Sequence, residues 1–140
     1  MTAIATAEVS IAAPGAEVWR ALTDPEVIKQ YMFGSQVETD WRPGSPIVWK
    51  GEFEGRSYED KGEVLDVVPE QRIKVTHFSP MTGLPDVPEN YHTVTYTLEP
   101  SGGSTIVRLT QDNAGSDEET EHSSQNWQLM LDGLKGVVEG

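Results

Sequence analysis

Cysteine is absent from the chain, which excludes disulfide staples, thiolate nucleophiles and thiolate metal ligands. Positive charge is scarce: 10 Lys and Arg stand against 23 Asp and Glu, a formal net charge of −13. That balance works against nucleic acid and anionic membrane surfaces, and favours solubility or a basic partner. No apolar run approaches the roughly 18 residues of a membrane span, and no basic segment followed by an apolar core opens the chain. A soluble, cytoplasmic protein with no nucleic-acid and no membrane partner is the expectation. The familiar chemical motifs are missing as well: there is no Gly-x-Gly-x-x-Gly, no phosphate loop, no His-Glu-x-x-His and no Gly-x-Ser-x-Gly. No cofactor and no catalytic residue is therefore expected.

What is present suffices for one domain spanning 1–140. A chain of 140 residues can bury roughly two-thirds of its unfolded surface. Four Trp, four Tyr and three Phe supply bulk for a core. The organising stretch is the last one. From Asp117 to Val138, the residues Trp127, Met130, Leu131, Leu134 and Val138 recur at the three-and-four spacing of one helix face. Asp117, Glu118 and Glu119 fill the first turn, where negative charge suits the exposed amides. Toward its start the stripe turns polar, at Ser123 and Thr120. Such a helix needs an apolar surface to lie against.

The upstream sequence offers that surface. Residues 3–12 alternate as a first strand, with Ala5, Ala7, Val9 and Ile11 on one face. Pro14 opens a short helix carrying Val18, Trp19 and Leu22 on its buried side. Asp24 caps and Pro25 begins a second one through Val27, Ile28 and Tyr31, ended by Gly34. From there to Asp112 the pattern is strand and turn. One strand runs from Ile47 to Phe53, with Ile47, Trp49 and Phe53 sharing a face, and the next covers 57–68. Ile73, Val75 and His77 share a face of the following strand. Val94, Tyr96 and Leu98 alternate with threonines, and Val107, Leu109 and Gln111 point inward in the last strand. Ser79 to Asn90, with three prolines, is a long connection; Met81, Leu84 and Val87 in it serve either as a lid or as an anchor. Strand, two short helices, antiparallel strands and a long helix make an α+β domain in which the long helix covers one face of the sheet. Sheet twist then curls the strands around the helix and leaves room for a cavity.

That order, with its residues, resembles the helix-grip superfamily that includes START lipid-transfer domains, pollen-allergen-type proteins and polyketide cyclases, the SRPBCC group. The resemblance is carried by Pro14 to Pro25, by Gly44-Ser-Pro-Ile-Val-Trp49, by Tyr58 to Leu65, and by Pro69 to Ile73 with Thr76-His77. Val94 to Leu98 and Asn126-Trp127 through Leu134 complete it. It is nearest the branch named for the activator of the heat-shock-90 chaperone's ATPase. The resemblance implies a START-like curved antiparallel sheet of six to seven strands wrapped around the C-terminal helix. It also implies a small apolar or amphipathic molecule or a chaperone as partner, with a link to stress. No catalytic signature accompanies it.

The candidate site follows from inward polar and aromatic positions. His77 and Gln111 sit on faces that should be buried, where polar groups need partners. Each either orients a ligand's polar end or is satisfied at a strand end by backbone or water. Trp49, Phe53, Tyr58, Tyr96, Trp127 and Met130 face the helix across the sheet, as plain core or as the wall of an apolar pocket. These eight residues are the expected ligand-binding set. An enzymatic alternative of the cyclase or hydratase kind pairs His77 with Tyr58 or Tyr96 as acid and base. Glu118 and His122 have a metal-compatible spacing, but an acidic solvated first turn accounts for them and no metal is expected. Gly133 and Gly136 weaken the helix, which a close approach to a strand would offset.

Overall fold

The computed structural model describes residues 3–32, 34–53, 55–80 and 83–140, with the side chain of Phe53 outside the description. Seven strands form one antiparallel sheet in the order β1-β7-β6-β5-β4-β3-β2. They are β1 (Ala5–Ile11), β2 (Gln36–Glu38), β3 (Pro46–Phe53), β4 (Arg56–Val68), β5 (Arg72–His77), β6 (His92–Ser101) and β7 (Ser104–Gln111). Helices α1 (Gly15–Thr23) and α2 (Pro25–Tyr31) follow β1, and α3 (Asp117–Glu139) closes the chain. The expected α+β helix-grip architecture is what the structure has.

Local sequence explains where α2 and α3 begin. Asp24 accepts a hydrogen bond from the Glu26 amide and Pro25 occupies the first turn of α2. Ser116 and Glu119 form a reciprocal capping box at the start of α3. The period-two patterns place Ala5, Ala7, Val9 and Ile11 in the core from β1, and Val94, Tyr96 and Leu98 from β6. In α3 the buried face is Met130, Leu131 and Leu134, with Trp127 and Val138 half-buried beside it. One strand escaped the periodicity: β2 is three residues long and pairs Val37 with Trp49. Three residues are too few for alternation to declare itself.

The apolar stripe of the long helix packs into the core against the sheet, and the helix lies closest to one edge of it. It runs beside β1, the open edge, because its side chains complete that edge. Ser124 accepts from the Thr6 amide at 3.1 Å, and Gln128 bonds both the amide and the carbonyl of Glu8 at 3.3 and 3.0 Å. Lys135 donates to the Ser10 carbonyl, and Glu139 accepts from the Ala12 amide, each at 2.7 Å. Alternate residues of β1 thus find partners on α3 that a neighbouring strand would otherwise supply. Helix α2 packs on both α3 and β2, so the two ends of the curled sheet are bridged. Strands β3 to β6 face α2 and α3 across the space that remains.

The glycines depart from expectation. Gly133 makes its close approach to a helix, since a Cβ there would lie 3.3 Å from that of Tyr31, and Gly136 has nothing within 4 Å. The tight strand crossing is at Gly62, where a Cβ would stand 1.8 Å from the Thr76 carbonyl oxygen. A bulge after Val64 follows, leaving Leu65 unpaired and exposed.

Candidate functional site

The curl of the sheet leaves a partly open cavity of about 320 Å³. Its floor is the concave face of the sheet. Ile47 and Trp49 come from β3, Tyr58 and Asp60 from β4, and Ile73, Val75 and His77 from β5. Val94 and Tyr96 of β6 and Gln111 of β7 complete it. The opposite wall is Ile28, Tyr31 and Met32 at the end of α2, with Ser123, Asn126, Trp127 and Met130 of α3. Val37 and Trp41 close the β2 side. Trp41 holds the left-handed conformation with φ of 60°, and its indole N–H donates to the Thr23 carbonyl at 3.0 Å. That bond ties a strained backbone turn to the end of α1.

A small polar set interrupts this apolar lining. Trp49 and Asp60 stand directly opposite in the β3–β4 pair, as do His77 and His92 in β5–β6. The Lys61–Phe78 bridge, between β4 and the residue after β5, brings carboxylate and imidazole together, with His77 Nε2 2.9 Å from Asp60 Oδ2. The His77 ring meets Trp49 edge-on at 5.0 Å and stacks on His92 at 6.3 Å. The second oxygen of Asp60 is buried and has no hydrogen-bond partner. A carboxylate oxygen left in that condition is costly.

Gln111 joins sheet to helix. Trp127 Nε1 can only donate, so the Gln111 oxygen must face it and the amide nitrogen must face His92. His92 Nδ1 lies 3.2 Å from that nitrogen and 3.1 Å from the Asp112 carbonyl oxygen. A single ring nitrogen cannot serve both. With the proton on Nε2 it accepts from Gln111, and with the proton on Nδ1 it donates to Asp112.

The tyrosines are placed for different reasons. Tyr58 folds over Gly51, its cross-strand partner, where a Cβ would stand 2.5 Å from the phenol oxygen, and it shares a hydrogen bond with Ser35. Tyr31 donates to the Ala21 carbonyl at 2.7 Å, and burial raises its pKa well above the ordinary phenol value, with Tyr96 adding to the effect. Burial likewise pushes Tyr96 far up. Both phenols are held neutral by their surroundings.

Seven of the eight expected residues line this one cavity: Trp49, Tyr58, His77, Tyr96, Gln111, Trp127 and Met130. Phe53 ends β3, and its side chain lies outside the described residues. His77 and Gln111 do end their strands, but each is satisfied by side chains and not by backbone. His77 bonds Asp60 and not Tyr58 or Tyr96, whose acid–base pairing with it was the enzymatic expectation. Asp60 itself was missed. Its signal was parity with Tyr58, two residues before it on the same face. Ser35, Trp41 and the α2 wall carried no local signal, since only the tertiary curl brings them in.

The Ser79–Asn90 connection is anchored. Asp86 forms an ion pair with Lys61 and accepts from Tyr91 at 2.6 Å, while Asn90 donates to the Pro85 carbonyl at 2.8 Å. Those bonds lower the Asp86 pKa and raise those of Lys61 and Tyr91. Leu84 is exposed, and neither it nor Val87 lines the cavity; Met81 lies outside the described residues. Glu118 and His122 are exposed on α3, and no cluster of three His, Asp or Glu that could hold a metal occurs among the described residues. No described helix is long and apolar enough to cross a membrane.

A curved antiparallel sheet gripping a terminal helix with a cavity between them defines the helix-grip class. Within it, the chain belongs to the family described as Activator of Hsp90 ATPase homolog 1-like protein, which matches residues 12–139. It is similar to ChR145 from Cytophaga hutchinsonii, known from a solution structure: 51% identity over 97% of this chain and 93% of that one, with a TM-score of 0.85. The fold is also that of the Aha1 dimer from Colwellia psychrerythraea, at 22% identity, 97% and 96% coverage and a TM-score of 0.75. DynU16, a putative protein in the dynemicin biosynthetic locus, shares it too, at 22% identity and a TM-score of 0.80. There, 98% of this chain spans 47% of that one. No curated protein matches.

Proposed function

We propose that the protein is a binding module for a small apolar or amphipathic molecule held between α3 and the sheet. One observation carries the reading: a cavity of about 320 Å³ whose walls are aromatic and aliphatic, with a few convergent polar groups. That combination is the usual make-up of small-molecule sites. Trp49, Tyr58, Tyr96, Trp127 and Met130 would grip the guest's body, and His77 and Gln111 would orient its polar end. The test uses the three cavity indoles, Trp41, Trp49 and Trp127, as reporters. Titration with a library of lipids and aromatic polyketides should shift their Nε1–H resonances, leaving that of Trp19 still. A library that moves none of them removes the reading.

The family description favours a second reading, a chaperone-associated interaction domain. The charge of −13 would steer a basic partner surface toward it. Pull-down with the heat-shock-90-class chaperone, at low and physiological salt, should then recover a complex whose formation weakens with salt. Empty pull-downs at both salts dispose of this reading.

A further inference from the structure

We infer that the guest's polar end is a hydrogen-bond donor, a hydroxyl or an ammonium, and not a carboxylate or phosphate. The inference rests on the binding reading above and narrows its ligand class. Among the described residues no Lys and no Arg lines the cavity, while Asp60 does. A carboxylate entering this space would lose its water, meet no fixed cation and approach a carboxylate of like charge. A donor meets the opposite situation. Asp60 Oδ2 is engaged by His77, but Oδ1 is buried without a partner. The terminal torsion of a carboxylate is soft, so a small turn presents either oxygen to the guest. Trp49, directly opposite Asp60 in the sheet, supplies an aromatic ring beside that point. The same ring would favour an ammonium through its quadrupole. The other polar groups of the lining, Ser35, Tyr58, Gln111, Ser123 and Asn126, carry no fixed charge, and His77 is already engaged by Asp60. The polar selection therefore concentrates at Asp60.

Two matched series test this, each holding the body constant and changing only the end: decanol, decylammonium and decanoate, then the naphthyl-methanol, naphthylmethyl-ammonium and naphthoate set. Binding is read from the Nε1–H shifts of Trp49 and Trp127. The expected result is that the alcohol or the ammonium binds at least ~10-fold more tightly than the carboxylate, the factor expected from leaving a buried polar group unpaired. Asp60→Asn, which keeps the shape and removes the charge, should shrink that ratio by improving the carboxylate. Carboxylates that bind as well as the donors, or a ratio unchanged in Asp60→Asn, would overturn the inference while leaving the cavity a binding site. If neither series moves either indole, the inference and the reading beneath it fall together.

Discussion

At the scale of single residues, the polar groups around the cavity are joined in a chain that crosses from helix to sheet. Trp127 donates to Gln111, and the amide of Gln111 turns to His92. Replacing Gln111 with Met keeps the volume and removes both partners. The indole N–H then loses its acceptor, at an expected cost of about 1–3 kcal/mol in urea unfolding. Trp127→Phe removes the donor instead. If the hydrogen bond carries the effect, Gln111→Met should cost less in the Trp127→Phe background than alone. A pH effect belongs to this scale too. Tyr31 and Tyr96 have folded pKa values raised by burial above those of the unfolded chain. Their contribution is fully present below the unfolded phenol value of about 10. It is lost as pH rises above that, because the unfolded chain ionises while the folded one resists. Stability measured between pH 9 and 11 should fall more steeply in the native protein than in Tyr31→Phe/Tyr96→Phe. Lys50 and Lys61, raised by their carboxylate partners, push the same way in both, so the difference isolates the phenols.

Elements were legible where one face is apolar and the segment long. The stripe from Trp127 to Val138 and the threonine alternation around Tyr96 announced α3 and β6 directly. The alignment of α3 along the edge of β1 was not legible, because it depends on polar residues between the stripe positions. Ser124, Gln128, Lys135 and Glu139 look like a solvated flank, yet they cap the edge of β1. The wall formed by α2 and Trp41 was hidden for a related reason: it is set by β2, three residues long, and by sheet curl. Asp60 was concealed by chemistry, since a carboxylate reads as surface whatever its parity. The edge role of α3 has a specific consequence. Ser124→Ala with Gln128→Leu removes the partners of the Thr6 and Glu8 amides while leaving the apolar stripe intact. Hydrogen exchange at those two amides should accelerate severalfold or more. The amides of Ala7 and Val9, which face the opposite way toward β7, should hold their protection. Equal acceleration at all four would mean that β1 loosens as a whole and that the side chains are not its edge partners.

For the whole molecule, the deciding quantity is whether the space between helix and sheet is real. Packed interiors tolerate added volume poorly, and overfilling typically costs 1–3 kcal/mol. Val75, buried in β5 and lining the cavity, is the position at which to ask. Enlarging it to Phe puts a ring where a guest would lie. With about 320 Å³ available, the variant should keep its free energy of urea unfolding within about 1 kcal/mol of the native protein. The ligand response should disappear at the same time. In the native protein a guest at 100 times its dissociation constant stabilises by about 2.7 kcal/mol through linkage alone. Val75→Phe should show no such gain at the same concentration. A surface partner, as the chaperone reading requires, would bind both proteins alike and stabilise both. Loss of the gain with stability retained therefore places the guest inside the grip of sheet and helix. Retention of the gain places the partner outside it.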